Sequence, residues 1–280
     1  MSSLARCMAP AVTNLLLASL VQYLEDRTGV KVKIDVPVDM SVLSEQYAVN
    51  LWHVFQEALK ADPNKAGYAF ELGQTYLRDG AWDQATDTFE GLLPAVENDS
   101  DRLVQALYGL ARAHERAGRF DDAVRLLERL VSLDPNHDKA LNYLGYMLAE
   151  KGLRLAESEK FIQRALEHEP ANGAYLDSMG WVYFQMGAFR RADEYLQKAI
   201  AVEEQLLKQI EGPDDPRMRG VHENLTVIHD HAGDVAAALN EADRARSHWQ
   251  KAIEYDPNNP AIVGKLNGLA SPLHGTDGTP

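Results

Sequence analysis

The 280-residue chain has one cysteine, Cys7, which rules out an internal disulfide framework and a cysteine-rich zinc site. Positive charge is scarce. Lys and Arg total 28 against 42 Asp and Glu, a formal net charge of −14. A surface that acidic repels phosphate backbones, which argues against nucleic acid and anionic membranes as general partners. Long apolar runs are missing too. The longest, Met8 to Val21, is broken by Asn14 and falls short of the roughly 18 residues of a spanning helix, so no integral membrane span is expected. There is no Walker loop, no G-x-S-x-G elbow and no HExxH pair, because Thr226 stands where the second histidine after His222-Glu223 would be. Cys7 has no evident histidine partner. The expectation is a protein that is not an enzyme, with no cofactor and no metal.

What the chain does have is a period. Gly80, Gly118, Gly152, Gly187 and Gly233 follow one another at 38, 34, 35 and 46 residues, each at the end of a helical-looking segment. Seven residues before them stand Gly73, Ala111, Gly145, Gly180 and Thr226, each preceded by Leu or Met. Five residues after them come Ala85, Ala123, Glu157, Ala192 and Ala238, and taking Ser158 for Glu157 restores the phase of the third unit. Pro63, Pro135, Pro170 and Pro257 close units.

Steric reasons account for these residue types. The small residues let paired helices approach, and Tyr76, Leu148 and Tyr183, one turn later, fill the gap between neighbours. The closing glycines supply the positive φ that a helix C-terminal cap commonly needs. Ala85, Ala123 and Ala192 again permit close packing, with Phe89, Leu127, Ile162 and Leu196 covering it.

The pattern resembles the tetratricopeptide repeat (TPR), a pair of antiparallel helices repeating about every 34 residues. The resemblance runs from Leu51 to the neighbourhood of Leu269, and YLDSMGWVYFQMGAFRRADEYLQKAIAVE matches the family closely. It implies an all-α fold, a right-handed superhelical solenoid of antiparallel helix pairs. The expected organisation is an N-terminal helix and short extended segment over 1–50, then a repeat array over 51–270, then a flexible tail over 271–280. The array comprises a half unit, about five pairs and a capping helix. VENDSDR predicts a longer acidic loop after the first pair, and EEQLLKQI a long helix reaching Gly212-Pro213. Seven extra residues between Ala238 and Ala245 add two turns to the fifth unit.

Residues 8–28 read as an amphipathic helix or an export signal, and 30–38, VKVKIDVPV, as a short edge strand. Residues 20–60 also resemble the junction before the ATPase domain of bacterial sensor histidine kinases. The asparagine that helps hold Mg-ATP there and the Lys-His pair are absent, since Lys60-Ala61-Asp62-Pro63 follows Gln56-Glu57-Ala58-Leu59. A regulatory partner of such a kinase is therefore one functional alternative. Repeats containing LDSMGW resemble those of exported bacterial proteins, so a cytoplasmic location stands beside a bacterial envelope one.

In the family the first helix of each pair lines a concave groove. The positions one after and three before the small residue point inward. Here these are Phe70 and Gln74, Tyr108 and Arg112, Asn142 and Tyr146, Asp177 and Trp181, then Glu223 and Val227; Arg78, Arg116 and Lys139 flank them. Aromatics, Arg and Asn in one trough suit a protein or peptide ligand. Basic side chains beside Asn142 suit a partner carboxylate. The Lys-Asn-Asn-Lys-Arg set with which some members clamp chaperone tails is not reproduced, so a hydrophobic-aromatic segment is expected. Tyr146 and Trp181 fit two roles, ligand contact and packing between units. His222 and His229, two turns apart, could share a metal, but His229 takes the slot of Tyr76 and Tyr183, a packing position. The implied function is a non-catalytic scaffold or adaptor. Oligomeric state does not follow from the sequence.

Overall fold

The computed structural model describes residues 66–212 and 215–270. The expected amino-terminal helix, edge strand, kinase-like junction, half unit and tail lie outside the described residues. Among those described, every regular element is an α-helix, and the chain divides into two compact units at Leu133/Asp134.

The N-terminal unit contains α1 (Ala66–Asp79), α2 (Trp82–Val96), α3 (Ser100–Arg116) and α4 (Phe120–Leu133). Phe89 of α2 is its wedge. The ring is fully buried, and a Cβ on Gly73 of α1 or on Gly109 of α3 would lie 2.6 or 2.5 Å from it. Two glycines thus make room for one aromatic ring, whose burial is worth about 1.5–3 kcal/mol. Ala85, Ala123 and Leu127 are fully buried as well. VENDSDR does not form a long loop. Helix α2 runs to Val96 and α3 starts at Ser100, so the added residues lengthen the two helices.

The C-terminal unit contains α5 (Asp138–Glu150), α6 (Leu155–His168), α7 (Gly173–Gln185), α8 (Phe189–Lys208), α9 (Arg217–Ala238), α10 (Ala242–Tyr255) and α11 (Pro260–Ala270). Ile162 fills the space beside Gly145, and Leu196 the space beside Gly180. Ser158 is fully buried and donates a hydrogen bond to the Gly145 carbonyl, which fixes the one-residue shift of the third pair. The extra residue is taken up at Arg154, in the left-handed region at φ 48°.

One turn design recurs in both units. The residue after the left-handed position donates its N–H to a carbonyl five residues back: Ala81 to Tyr76, Arg119 to His114, Leu153 to Leu148 and Ala188 to Tyr183, at 2.8–2.9 Å. Gly80, Gly118, Gly152 and Gly187 supply the positive φ, as expected. The first helices α3, α5 and α7 start instead on side-chain caps. Asp99, His137 and Asn172 each accept an N–H from three residues ahead.

The fifth pair departs from the expected register. Gly233 ends no helix, because α9 continues through it to Ala238. The turn lies seven residues later, where Asn240 has φ 63° and Glu241 donates to Ala236 at 2.9 Å. Gly233 is instead the close-packing residue. A Cβ there would collide with the indole of Trp249, sixteen residues on, as one at Gly180 would with Leu196.

Candidate functional site

The register of α9 revises the inward positions of the fifth pair. Counting from Gly233 rather than Thr226 replaces Glu223 and Val227 with Asp230 and Asp234. Val227 is 44% exposed and Glu223 is an exposed partner of Arg219. His229 likewise leaves the slot of Tyr76 and Tyr183 for the core position held by Leu176 in α7.

In the N-terminal unit, Phe70 and Gln74 lie on α1 and Tyr108, Arg112 and Arg116 on α3. The first four are half-buried and Arg116 is exposed. The Phe70 ring meets Phe89 edge-on at 6.0 Å, so part of it serves packing. The Arg116 guanidinium stands 3.4 Å from Glu115.

In the C-terminal unit, Lys139 is exposed, and Asn142 and Tyr146 on α5 are half-buried. The Tyr146 hydroxyl donates to Glu150 at 3.0 Å. On α7 the structure unites Asp177 and Trp181 with a residue that sequence reasoning missed, His231 of α9. The His231 imidazole stacks on the indole of Trp181 at 4.2 Å, and Phe184 stacks at 4.8 Å. These contacts engage the faces of the indole, and its Nε1 is sealed without a partner. Trp181 therefore packs between α7 and α9. Asn142 Oδ1 is the other sealed, unpaired atom among the inward positions.

His231 Nδ1 lies 2.9 Å from Asp177 Oδ1, with both side chains buried. Burial alone would lower the histidine pKa, but the Asp177 charge and hydrogen bond outweigh it, with Asp230 and Asp234 adding, and the pKa stands above its ordinary value. Beside this pair, Lys265 of α11 donates to Asp230 at 2.7 Å and to Asp234 at 2.8 Å, which fastens the terminal helix to α9. Burial raises the pKa of Asp234 despite the lysine. Nothing in the local sequence around His231 announces Asp177, 54 residues away. The spacing of Gly233 and Trp249, equal to that of Gly73 and Phe89, was the available signal for the register.

His222 and His229 do not form a joint site. The His222 ring contacts Tyr255, whereas His229 is fully buried with its Nδ1 3.1 Å from Nδ1 of His248 on α10. Burial, with the charges of His248 and Lys251, pushes His229 down to about 4. His229 Nε2 is sealed and unpaired. Placing the shared proton on His229 Nδ1 leaves a bare lone pair there rather than a stranded N–H. Among the described residues no three His, Cys, Asp or Glu side chains converge as metal ligands, and no helix is long and apolar enough to cross a membrane.

Three family models, each described as tetratricopeptide repeat, match residues 65–136, 108–175 and 173–217. A TPR repeat-containing protein of Pseudomonas aeruginosa is 28% identical over 144 residues, which is 50% of this chain and 24% of that protein. Lipopolysaccharide assembly protein B of Escherichia coli K12 is 23% identical over 145 residues, 50% of this chain and 36% of that protein. The chain thus spans well under half the length of these curated relatives. Among solved structures, BtubC (BKLC) from P. vanneervenii superposes with a TM-score of 0.57 at 18% identity, covering 81% of this chain and 93% of that one. A thermophilic TPR protein of Thermus thermophilus gives 0.55 at 20% identity, covering 73% and 98%. MamA from Desulfovibrio magneticus RS-1 gives 0.51 at 20% identity, covering 70% and 97%. At these identities the likeness concerns the fold.

Proposed function

Because this chain belongs to the tetratricopeptide repeat family, we propose that it is a non-catalytic scaffold that holds a segment of another protein against the inward faces of its first helices. One observation carries this reading. The second-helix side chains Phe89, Leu127, Ile162 and Leu196 are fully buried, while Phe70, Gln74, Tyr108, Arg112, Asn142 and Tyr146 stay only half-buried. Part of each of these side chains stays at the surface, which offers aromatic and polar area to a partner. Affinity comes from a few anchors on a preformed surface, with little ordering cost to the helices themselves.

The test is a cross-linked pull-down from the native host with wild type, Tyr108→Ala and Tyr146→Ala, each checked for helicity by circular dichroism. Loss of one partner from folded variants supports the reading. A partner retained by both variants places binding elsewhere and removes it.

A second reading, a role in assembly at the bacterial envelope, rests on the likeness to lipopolysaccharide assembly protein B. Fractionation of host cells, with identification of the cross-linked partner, tests it; a partner confined to the cytosol argues against it.

A further inference from the structure

We propose that a cleft between the second helices α2 and α4 takes a tyrosine side chain from another protein, whose hydroxyl accepts a hydrogen bond from His114 and donates one to Glu90. The cleft has a volume of about 440 Å³, within the usual range of ligand pockets, about 300–1,000 Å³. None of the inward side chains lines it, so this surface is separate from the one assigned to the scaffold.

The cleft opens where the repeat loses its filler. Three residues beyond the small position, the first four pairs carry Tyr76, His114, Leu148 and Tyr183, all buried. Tyr183 shows how the slot is closed from within. Its hydroxyl donates to Glu159 of α6 at 2.6 Å, and the guanidinium of Arg191 on α8 covers its ring at 4.4 Å. On α3 the slot holds the shorter imidazole of His114, and the cleft lies beside it, lined by Leu93, Leu110 and Leu126. Glu90 of α2 and Arg125 of α4 border it, as Glu159 and Arg191 border Tyr183. The surroundings of a tyrosine are in place without the tyrosine.

Hydrogen bonding selects the same group. His114 is 8% exposed, and Arg119 Nε donates to its Nδ1 at 2.9 Å. Burial, and then the Arg119 charge, hold its pKa below the ordinary value, so the neutral ring carries its proton on Nε2. That atom lies 3.7 Å from Glu90 Oε1, beyond hydrogen-bonding distance. A phenol hydroxyl between the two satisfies both, because it accepts and donates at once. Phenylalanine would leave Nε2 unpaired. An anionic group would meet Glu90 and Asp122, while the arginines of the lining, Arg125 and Arg129, already face Asp122 and Glu97.

The experiment titrates the full chain, with isotope-labelled leucine methyl groups, with N-acetyl-tyrosinamide and separately with N-acetyl-phenylalaninamide, read by NMR. The expected result is a saturable shift of the Leu93, Leu110 and Leu126 signals, with the phenylalanine probe bound about tenfold more weakly. His114→Tyr, which fills the slot as Tyr183 does, should abolish the response. Glu90→Ala, at an exposed position, should weaken the tyrosine probe about tenfold and leave the phenylalanine probe unchanged. Equal binding of the two probes, no saturable shift at these leucines, or a response that survives in folded His114→Tyr overturns the proposal. Should that variant fail to fold, Glu90→Ala decides alone, and equal effects on both probes overturn the proposal. Leucine shifts that follow protein concentration without any probe assign the cleft to a second copy of the chain, and overturn it as well.

Discussion

His231 of α9 and Asp177 of α7 form a buried pair, Nδ1 to Oδ1 at 2.9 Å, over which the indole of Trp181 is stacked. It couples the first helices of successive pairs through a charge-assisted bond. Removing one partner strands the other, at a cost of about 3–5 kcal/mol for a buried ion pair. Asp177→Ala should therefore lower the midpoint of chemical unfolding markedly and change the fluorescence of Trp181. An unchanged midpoint would show that the pair contributes no net stability.

The same pair sets an alkaline limit. The folded His231 pKa is raised, so the folded state holds a proton that the unfolded state releases more readily. Its contribution is fully present below the unfolded value of about 6.5 and is lost as pH rises through the folded one. Urea melts of wild type and Asp177→Asn across this range should converge as pH rises. Parallel curves would count against the linkage.

His229 and His248 work in the opposite direction. The His229 pKa is pushed down to about 4 and that of His248 is lowered, each first by burial. Between the unfolded value of about 6.5 and the folded one, the unfolded state binds more protons, so stability falls as pH drops through that window. His229→Leu should blunt the acid sensitivity of the fifth pair. Melts monitored between about pH 7 and pH 4 decide the matter, and an equally steep loss in the variant would shift the cause to other groups.

Gly233 and Asn240 separate the two registers of α9. Gly233→Ala places a methyl group against Trp249 and should cost about 1–3 kcal/mol through overpacking. Asn240→Gly should be tolerated or mildly stabilising, since Asn240 already occupies the left-handed region, whereas Asn240→Val should destabilise. Were Gly233 the turn residue, Asn240→Val would be nearly silent. Thermal melts of the three variants distinguish the cases.

Phe89 offers a further check on the N-terminal unit. Phe89→Ala should cost about 3–5 kcal/mol. Gly73→Ala and Gly109→Ala each meet the same ring, so their effects should not add. A double-mutant cycle with independent effects would mean that the ring does not bridge the two helices.

Much of this was legible residue by residue. Gly80, Gly118, Gly152 and Gly187 marked turns because positive φ is a requirement of one residue and its immediate neighbours. Phe89, Leu127, Ile162 and Leu196 were recognisable as core because small and large residues recur at sixteen or seventeen positions within each pair. The misplaced register of α9 has an equally physical origin. Thr226 and Gly233 are seven residues apart, nearly two helical turns, and so occupy the same face. Periodicity cannot tell them apart, and the usual glycine of the turn is replaced by Asn240.

The amino-acid sequence by itself determined an all-α chain of helix pairs and the approximate limits of most of them, because these depend on local sterics and on a repeating pattern. Only the tertiary structure decided which of the expected inward side chains find partners within the chain. Trp181 is covered by His231 and Phe184, Asp177 is neutralised by His231, and Arg112 is left without a carboxylate among the described residues. Such partnerships depend on where side chains from separate helices meet after packing, over separations that no local pattern encodes.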